Sequence, residues 1–319
     1  MIARRTGRTG SLAGTALVAA ALVALAGCEG GVAGFGRNVL DFVTTPCPFG
    51  AHPVDSPSTF GAGGLAKLRE EWCEKKDASG RIVRHGPYGE WYESGVDEER
   101  GYFRYGARHG EWKQWFPNGQ LKSRTTYDSG KPYGLHDAWH ANGALRERGS
   151  FQDGAKDGVW AKWHANGQKA SEATYRGGTF HGSYVAWHDN GVKLTEGTYA
   201  KGQKDGSWKE WYRTGKKNWE VTFRSGRGEG SYAQWHENGS KAREINLVDD
   251  QPNGPYTIWH DNGQKSEQGF YEGGVLHGAV TAWDRDGRVW LDGQWREGEP
   301  IDRDEVLSVI DKEAARTGW

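Results

Sequence analysis

The sequence predicts an all-β protein: an elongated, single-layer antiparallel sheet of tandem β-hairpins, closed at its C-terminus by a short capping helix. Three observations carry this. Trp recurs at Trp91, Trp115, Trp139, Trp163, Trp187, Trp211, Trp235, Trp259 and Trp283, always 24 residues apart. Glycines at 86, 110, 134, 158, 182, 206, 230, 254 and 278 keep the same interval, so nine units follow one another without insertion or deletion. The composition, 17 Trp and 49 Gly against a single Met in 319 residues, suits something thin and regular rather than a core of Leu, Ile and Val.

With each opening Gly as position 1, position 6 is always Trp, and positions 9 and 10 are Asn-Gly in six units. Position 18 is usually Tyr or Phe, and position 21 usually Gly. Asn-Gly between alternating segments signals a hairpin. The strands are expected over about positions 2–7 and 11–18, with a second turn near position 21. Helix is disfavoured, because Gly, Thr and aromatic residues are spread throughout. Position 8 is Pro117, Ala141, Ala165, Asp189, Glu237 or Asp261. Those residues suit a type I turn followed by a left-handed Gly. That register pairs positions 7 and 11 and places 6, 12, 14, 16 and 18 on one face, with 3, 7, 15 and 17 on the other. A slip of one residue would exchange the faces. Position 16 is small in most units (Gly149, Ala173, Gly197, Gly269), leaving room for rings to pack across it.

Units of the form G-x-[YW]-x-x-W-[HY]-x-N-G-x-K…[YF]-x-x-G resemble the MORN-repeat variant family over residues 86–301. The resemblance implies stacked hairpins in an elongated, twisted sheet with a binding or scaffolding role. Some members of that family are antitoxins, a role that suits an exported, anchored chain poorly. The departures are Ser94-Gly95 in unit one, His136 in unit three, Thr214-Gly215 in unit six, Leu247 and Asp250 in unit seven, and Asp284 with Asp286-Gly287 in unit nine. Unit seven is where a bend is expected.

The N-terminus carries Arg4, Arg5 and Arg8, then an uncharged run rich in Ala, Leu and Val from Ser11 to Gly27. This is the pattern of a secretory signal, and it is short for a membrane span, which needs about 20 apolar residues. Leu25-Ala26-Gly27-Cys28 resembles a bacterial lipobox, which implies a signal peptide over residues 1–27 and acylation of Cys28. The expected location is the cell envelope, the outer membrane where the cell has one, with the acylated Cys28 as the membrane anchor. Cleavage removes three Arg and no acids, taking 41 basic and 42 acidic side chains to 38 and 42, a net charge of −4. That balance argues against a nucleic-acid partner. Cys47 and Cys73 remain, and outside the cytoplasm they are expected to pair, free buried thiols being the alternative. Residues 28–69 read as a flexible tether rich in Gly, Pro and Ser, and 70–85 as a capping hairpin. Residues 302–319 read as a cap helix, with Val306, Leu307, Val309, Ile310 and Ala314 at mostly helical spacing.

No catalytic motif is visible, and neither a cofactor nor a metal site is expected. His140, His164, His188, His236 and His260 all occupy position 7, but neighbours in this row lie two strands, about 9.5 Å, apart. Zinc ligands lie about 2 Å from the metal, so the row cannot share one ion. The rows Lys169, Lys193, Lys217, Lys241, Lys265 and Glu172, Glu196, Glu220, Glu244 follow the repeat and read as solvated, cross-strand charge pairs. The position-3 aromatics Tyr88, Trp112, Trp160, Tyr184, Trp208, Tyr232 and Tyr256 admit two readings: a partly exposed binding row, or rings that hold the sheet together. The leading functional expectation is a non-catalytic protein-interaction scaffold at the envelope. The alternative is binding of an envelope glycan through the aromatic rows.

Overall fold

The computed structural model describes Cys47, Pro48, residues 50–59 and 67–302, Val306 and Val309. The signal peptide and Cys28 lie outside the described residues. The described strands form one open 22-stranded antiparallel sheet in which successive strands pair, except that Lys265–Glu272 pairs with both Val275–Leu276 and Gly278–Trp283. Three strands begin it: β1 (His52–Thr59), β2 (Lys67–Lys76) and β3 (Ile82–Tyr92). The sheet therefore starts inside the segment that composition marks as a tether. Pro53 and Pro57 remove two N–H donors from β1, which lies at the edge of the sheet. The Cys47–Cys73 disulfide ties the residues before β1 to β2. It packs on Gly86, where any side chain would collide with Cys73 and Pro48.

Each unit is two strands, as in Ala155–Trp163 and Lys169–Arg176. The turn between them is the expected one. In unit two, Phe116 N–H donates to the Gln120 carbonyl, Gly119 N–H donates to the Phe116 carbonyl, and Gly119 is left-handed at φ 82°. The second turn is a two-residue turn at positions 20 and 21 with both φ positive, as at Asp153 (51°) and Gly154 (87°). Asp250 takes the Gly position in unit seven at φ 70°. The ladder runs through that unit with the registers of its neighbours.

The face assignment needs correction. Position 6 does pair with 12 (Trp115 with Leu121), but a bulge follows, so that 5 pairs with 14 and 3 with 16 (Gln114 with Ser123, Trp112 with Thr125). The extra residue at position 13 inverts the rest of the strand. Positions 3, 5, 14, 16 and 18 share one face, and 2, 4, 6, 12, 15 and 17 the other. The first strand also begins earlier than expected, at position 22 of the preceding unit, and runs through the left-handed opening Gly (φ 73° at Gly158).

At the C-terminal end, Val280, Ala282, Leu291 and Trp295 form a small core covered by Val306 and Val309, which have helical backbone. The rest of the expected cap helix lies outside the described residues.

Candidate interaction faces

The position-3 rings are interior. Trp112, Trp160, Trp208 and Tyr256 are each 2 % exposed, Tyr88 is buried, and Tyr184 and Tyr232 are half-buried. The partial exposure on which a binding row at these rings depends is therefore absent from most of them. What encloses them is their own neighbours. Trp160 stacks on His136 (5.6 Å between ring centres) and meets Phe151 (4.9 Å) and Tyr175 (6.3 Å) edge-on. Trp112 repeats this with Tyr88, Phe103 and Tyr127, and Trp208 with Tyr184, Tyr199 and Phe223. Each indole donates to a carbonyl of the preceding unit: Tyr102 at 3.2 Å, Ser150 at 3.0 Å and Thr198 at 3.0 Å. A cation closes the remaining side, with Arg108 at 4.1 Å, Lys156 at 3.8 Å and Lys204 at 4.3 Å from the ring centres.

This pattern has a period of two units. Trp at position 3 occurs in units two, four and six, and position 16 of the unit before each is Gly101, Gly149 or Gly197. A Cβ on any of these glycines would overlap the indole. Where the ring is smaller, position 16 carries a side chain: Thr125 before His136, Ala173 before Tyr184, Val221 before Tyr232 and Ile245 before Tyr256. The 24-residue repeat thus contains a 48-residue one. The sequence signal for it is [RK]-x-G-x-W at Arg108–Trp112, Lys156–Trp160 and Lys204–Trp208.

Polar side chains within this core are paired. Glu90 and Glu99 stand directly opposite one another and are both buried. Glu99 accepts from Arg108 and Gln114, each at 2.8 Å, and the Tyr88 hydroxyl donates to Glu90 at 3.1 Å. Burial first, and then the charge of Glu90, push the Tyr88 hydroxyl well above the usual tyrosine range. The Thr125 hydroxyl lies 2.7 Å from His136 Nδ1, and burial holds the His136 ring below its ordinary pKa.

The opposite face carries the position-6 tryptophans, Trp91 to Trp283, all half-buried. In units four to seven the position-12 lysine bridges the position-15 glutamate, at 2.7 Å for Lys169–Glu172 and Lys193–Glu196, 2.9 Å for Lys217–Glu220 and 3.0 Å for Lys241–Glu244. The same ammonium reaches over the next unit's indole, 4.6 Å from the ring centre for Lys217 on Trp235. In units one to three the polarity is different. Asp97 pairs with Arg100 at 2.7 Å, reversing the Lys–Glu order. Leu121 and Leu145 occupy position 12, and Arg124 and Arg148 both bind the buried Asp137 at 2.6 Å. Burial alone would raise the Asp137 carboxyl; the hydrogen bonds from Arg148 and Arg124 outweigh it and hold the group below the usual carboxylate range.

The position-7 histidines serve the sheet. His140 Nε2 lies 2.8 Å from the Trp163 carbonyl, and His164, His188, His236 and His260 repeat the contact one unit on at 2.9–3.1 Å. Tyr92 and Tyr212 make the same bond through their hydroxyls, so seven units place an aromatic donor here, with Phe116 and Asp284 the exceptions. The Asn at position 9 adds a second rung: Asn142 Nδ2 donates to the Ala165 carbonyl at 2.8 Å, and Asn166 to that of Asp189 at 2.7 Å. Among the described residues no cluster of His, Cys, Asp and Glu is arranged to hold a metal ion, and no helix is long and apolar enough to cross a membrane.

The family model described as the MORN repeat variant matches residues 108–129 and 156–176. Both matches begin at the cation that covers a buried Trp, Arg108 or Lys156, and run to the end of that hairpin. No curated protein matches the chain. The two matched hairpins are similar to MORN-variant repeats, which generally form interaction modules, and the remaining units of the array repeat their strand pairing.

Proposed function

We propose that this chain is an exported lipoprotein, anchored through acylated Cys28, whose array is a non-catalytic protein-interaction scaffold with the position-6 face as its working surface. The observation that carries this reading is the division of labour between the faces. The position-3 rings are spent on the core, whereas the position-6 tryptophans and their Lys–Glu pairs stay half-exposed and repeat unit after unit. A charged face of this kind, with partly covered indoles, has the composition of an interface centre and rim.

Two measurements test it. Cys28→Ser is expected to block processing and abolish fatty-acid labelling; normal processing and labelling of that variant would end the anchoring part. Capture from envelope extracts is expected to recover a partner that is lost on Trp187→Ala with Trp211→Ala. Capture insensitive to that pair would place the working surface elsewhere. The half-exposed tryptophans also favour a second reading, an envelope glycan stacked along the position-6 row. A glycan array probed with the wild type and the same double variant separates the two.

A further inference from the structure

We infer that the occupant of the position-6 face is a second copy of this chain, laid face to face with its units in reverse order about a two-fold axis along the strand Ala155–Trp163. The inference rests on reading that face as the interaction surface and names the partner.

Charge along position 15 is self-complementary. Along position 15 the row reads Arg100, Arg124, Arg148, then Glu172, Glu196, Glu220. The change of sign falls across the strand Ala155–Trp163, which lies between the strands that carry Arg148 and Glu172. A two-fold axis along that strand reverses the order of units and keeps each position at the same level. It brings Arg148 opposite Glu172 of the second copy, Arg124 opposite Glu196 and Arg100 opposite Glu220. Position 12 follows the same rule at its charged end, with Asp97 opposite Lys217. The axial strand is the one best suited to meet itself. Its residues on this face are Val159, Ala161 and Trp163, and Val159 is 56 % exposed. An interface in which the same patch meets itself is what two-fold symmetry requires.

The dimensions agree. Units one to six present twelve strands, and at about 4.8 Å per strand and about 3.4 Å per residue over positions 2–6 they offer on the order of 1,000 Å². A stable interface uses about 800 Å² per partner. Aligned packing of two twisted sheets at about 30° accommodates the contact near the axis. The arginines keep N–H groups to spare after binding Asp137 or Asp97, since each guanidinium has five, and the glutamates are about a third exposed or more (Glu172 40 %, Glu196 34 %, Glu220 36 %).

Sedimentation equilibrium of the purified full chain tests this. The wild type is expected to dimerise, more weakly as salt rises. Val159→Arg, and separately Glu172→Lys with Glu196→Lys, are expected to raise the dissociation constant at least about tenfold. A short bis-maleimide is expected to link two copies of Val159→Cys and not two copies of Ser231→Cys, whose side chain lies three units away. A wild type that is monomeric throughout, a dimer indifferent to these changes, or equal linking of the two cysteine variants overturns the inference. The scaffold reading survives that result if envelope capture still depends on Trp187 and Trp211.

Discussion

Trp160 covers Gly149 so closely that a single methyl group at Gly149 would overlap the indole. Gly149→Ala is therefore an overpacking change, expected to cost roughly 1–3 kcal/mol. The junction between units four and five, where Ala173 pairs with Tyr184, supplies the repair. Gly149→Ala combined with Trp160→Tyr is expected to be less destabilised than the sum of the two single changes. Denaturant unfolding of the four proteins measures the coupling. Strict additivity would mean that ring size and Gly are not matched.

Asp137 links units two and three through Arg124 and Arg148. Its native pKa is depressed, so the stabilisation is complete above the unfolded value of about 3.9 and is lost as pH falls through the lower native value. Both arginines are about half-exposed, which limits the effect of Asp137→Asn to roughly 1–2 kcal/mol at neutral pH. Thermal melts between pH 6 and pH 2 are expected to show the difference between wild type and variant shrinking at the acid end.

His136 titrates with the same sign in a higher pH window. Its native pKa lies below the usual value, so the unfolded chain takes up the proton first and stability falls as pH drops below about 6.5. His136→Tyr, the residue found at this position in units one, five, seven and eight, is expected to remove that part of the pH dependence. Melts at pH 7.5 and pH 5.5 decide it: an unchanged pH slope in the variant would show that His136 is not its source.

The position-7 bond predicts a contrast among substitutions. His164→Phe loses the donor to the Trp187 carbonyl and is expected to cost about 0.5–1.5 kcal/mol, whereas His164→Tyr keeps a donor, as Tyr92 and Tyr212 do. Because contacts in an array are mainly between neighbours, hydrogen exchange is expected to rise around Trp187 and not at unit eight. Equal behaviour of the two variants would contradict the role.

The hairpins, their count and the three-residue turn are legible in the sequence because they rest on local signals: Asn-Gly, a left-handed Gly at position 10, and a strict 24-residue period. The faces are not. The bulge at position 13 has no residue type of its own, being Glu98, Lys122, Arg146, Ala170, Leu194 and Asn218 in units one to six, and one unpaired residue is enough to invert everything after it. The cations on Trp112, Trp160 and Trp208 also escape a unit-by-unit reading, because their signal emerges only when alternate units are compared. The Arg-to-Glu change along position 15 is legible in part: the glutamates form an evident row, but Arg100, Arg124 and Arg148 continue it with a different residue type and the opposite charge. Strand β1 is hidden because its Pro and Ser content resembles a tether, although the same prolines suit the edge of a sheet.

One row of aromatic rings is the core and the other lies on the accessible face, a difference that hydroxyl-radical footprinting read by mass spectrometry measures ring by ring. On the native full chain, diluted until it sediments as a monomer, Trp187, Trp211 and Trp235 are expected to oxidise faster than Trp112, Trp160 and Trp208. The reverse order, with the position-3 indoles oxidised first, would contradict the assignment of faces and with it the proposed working surface.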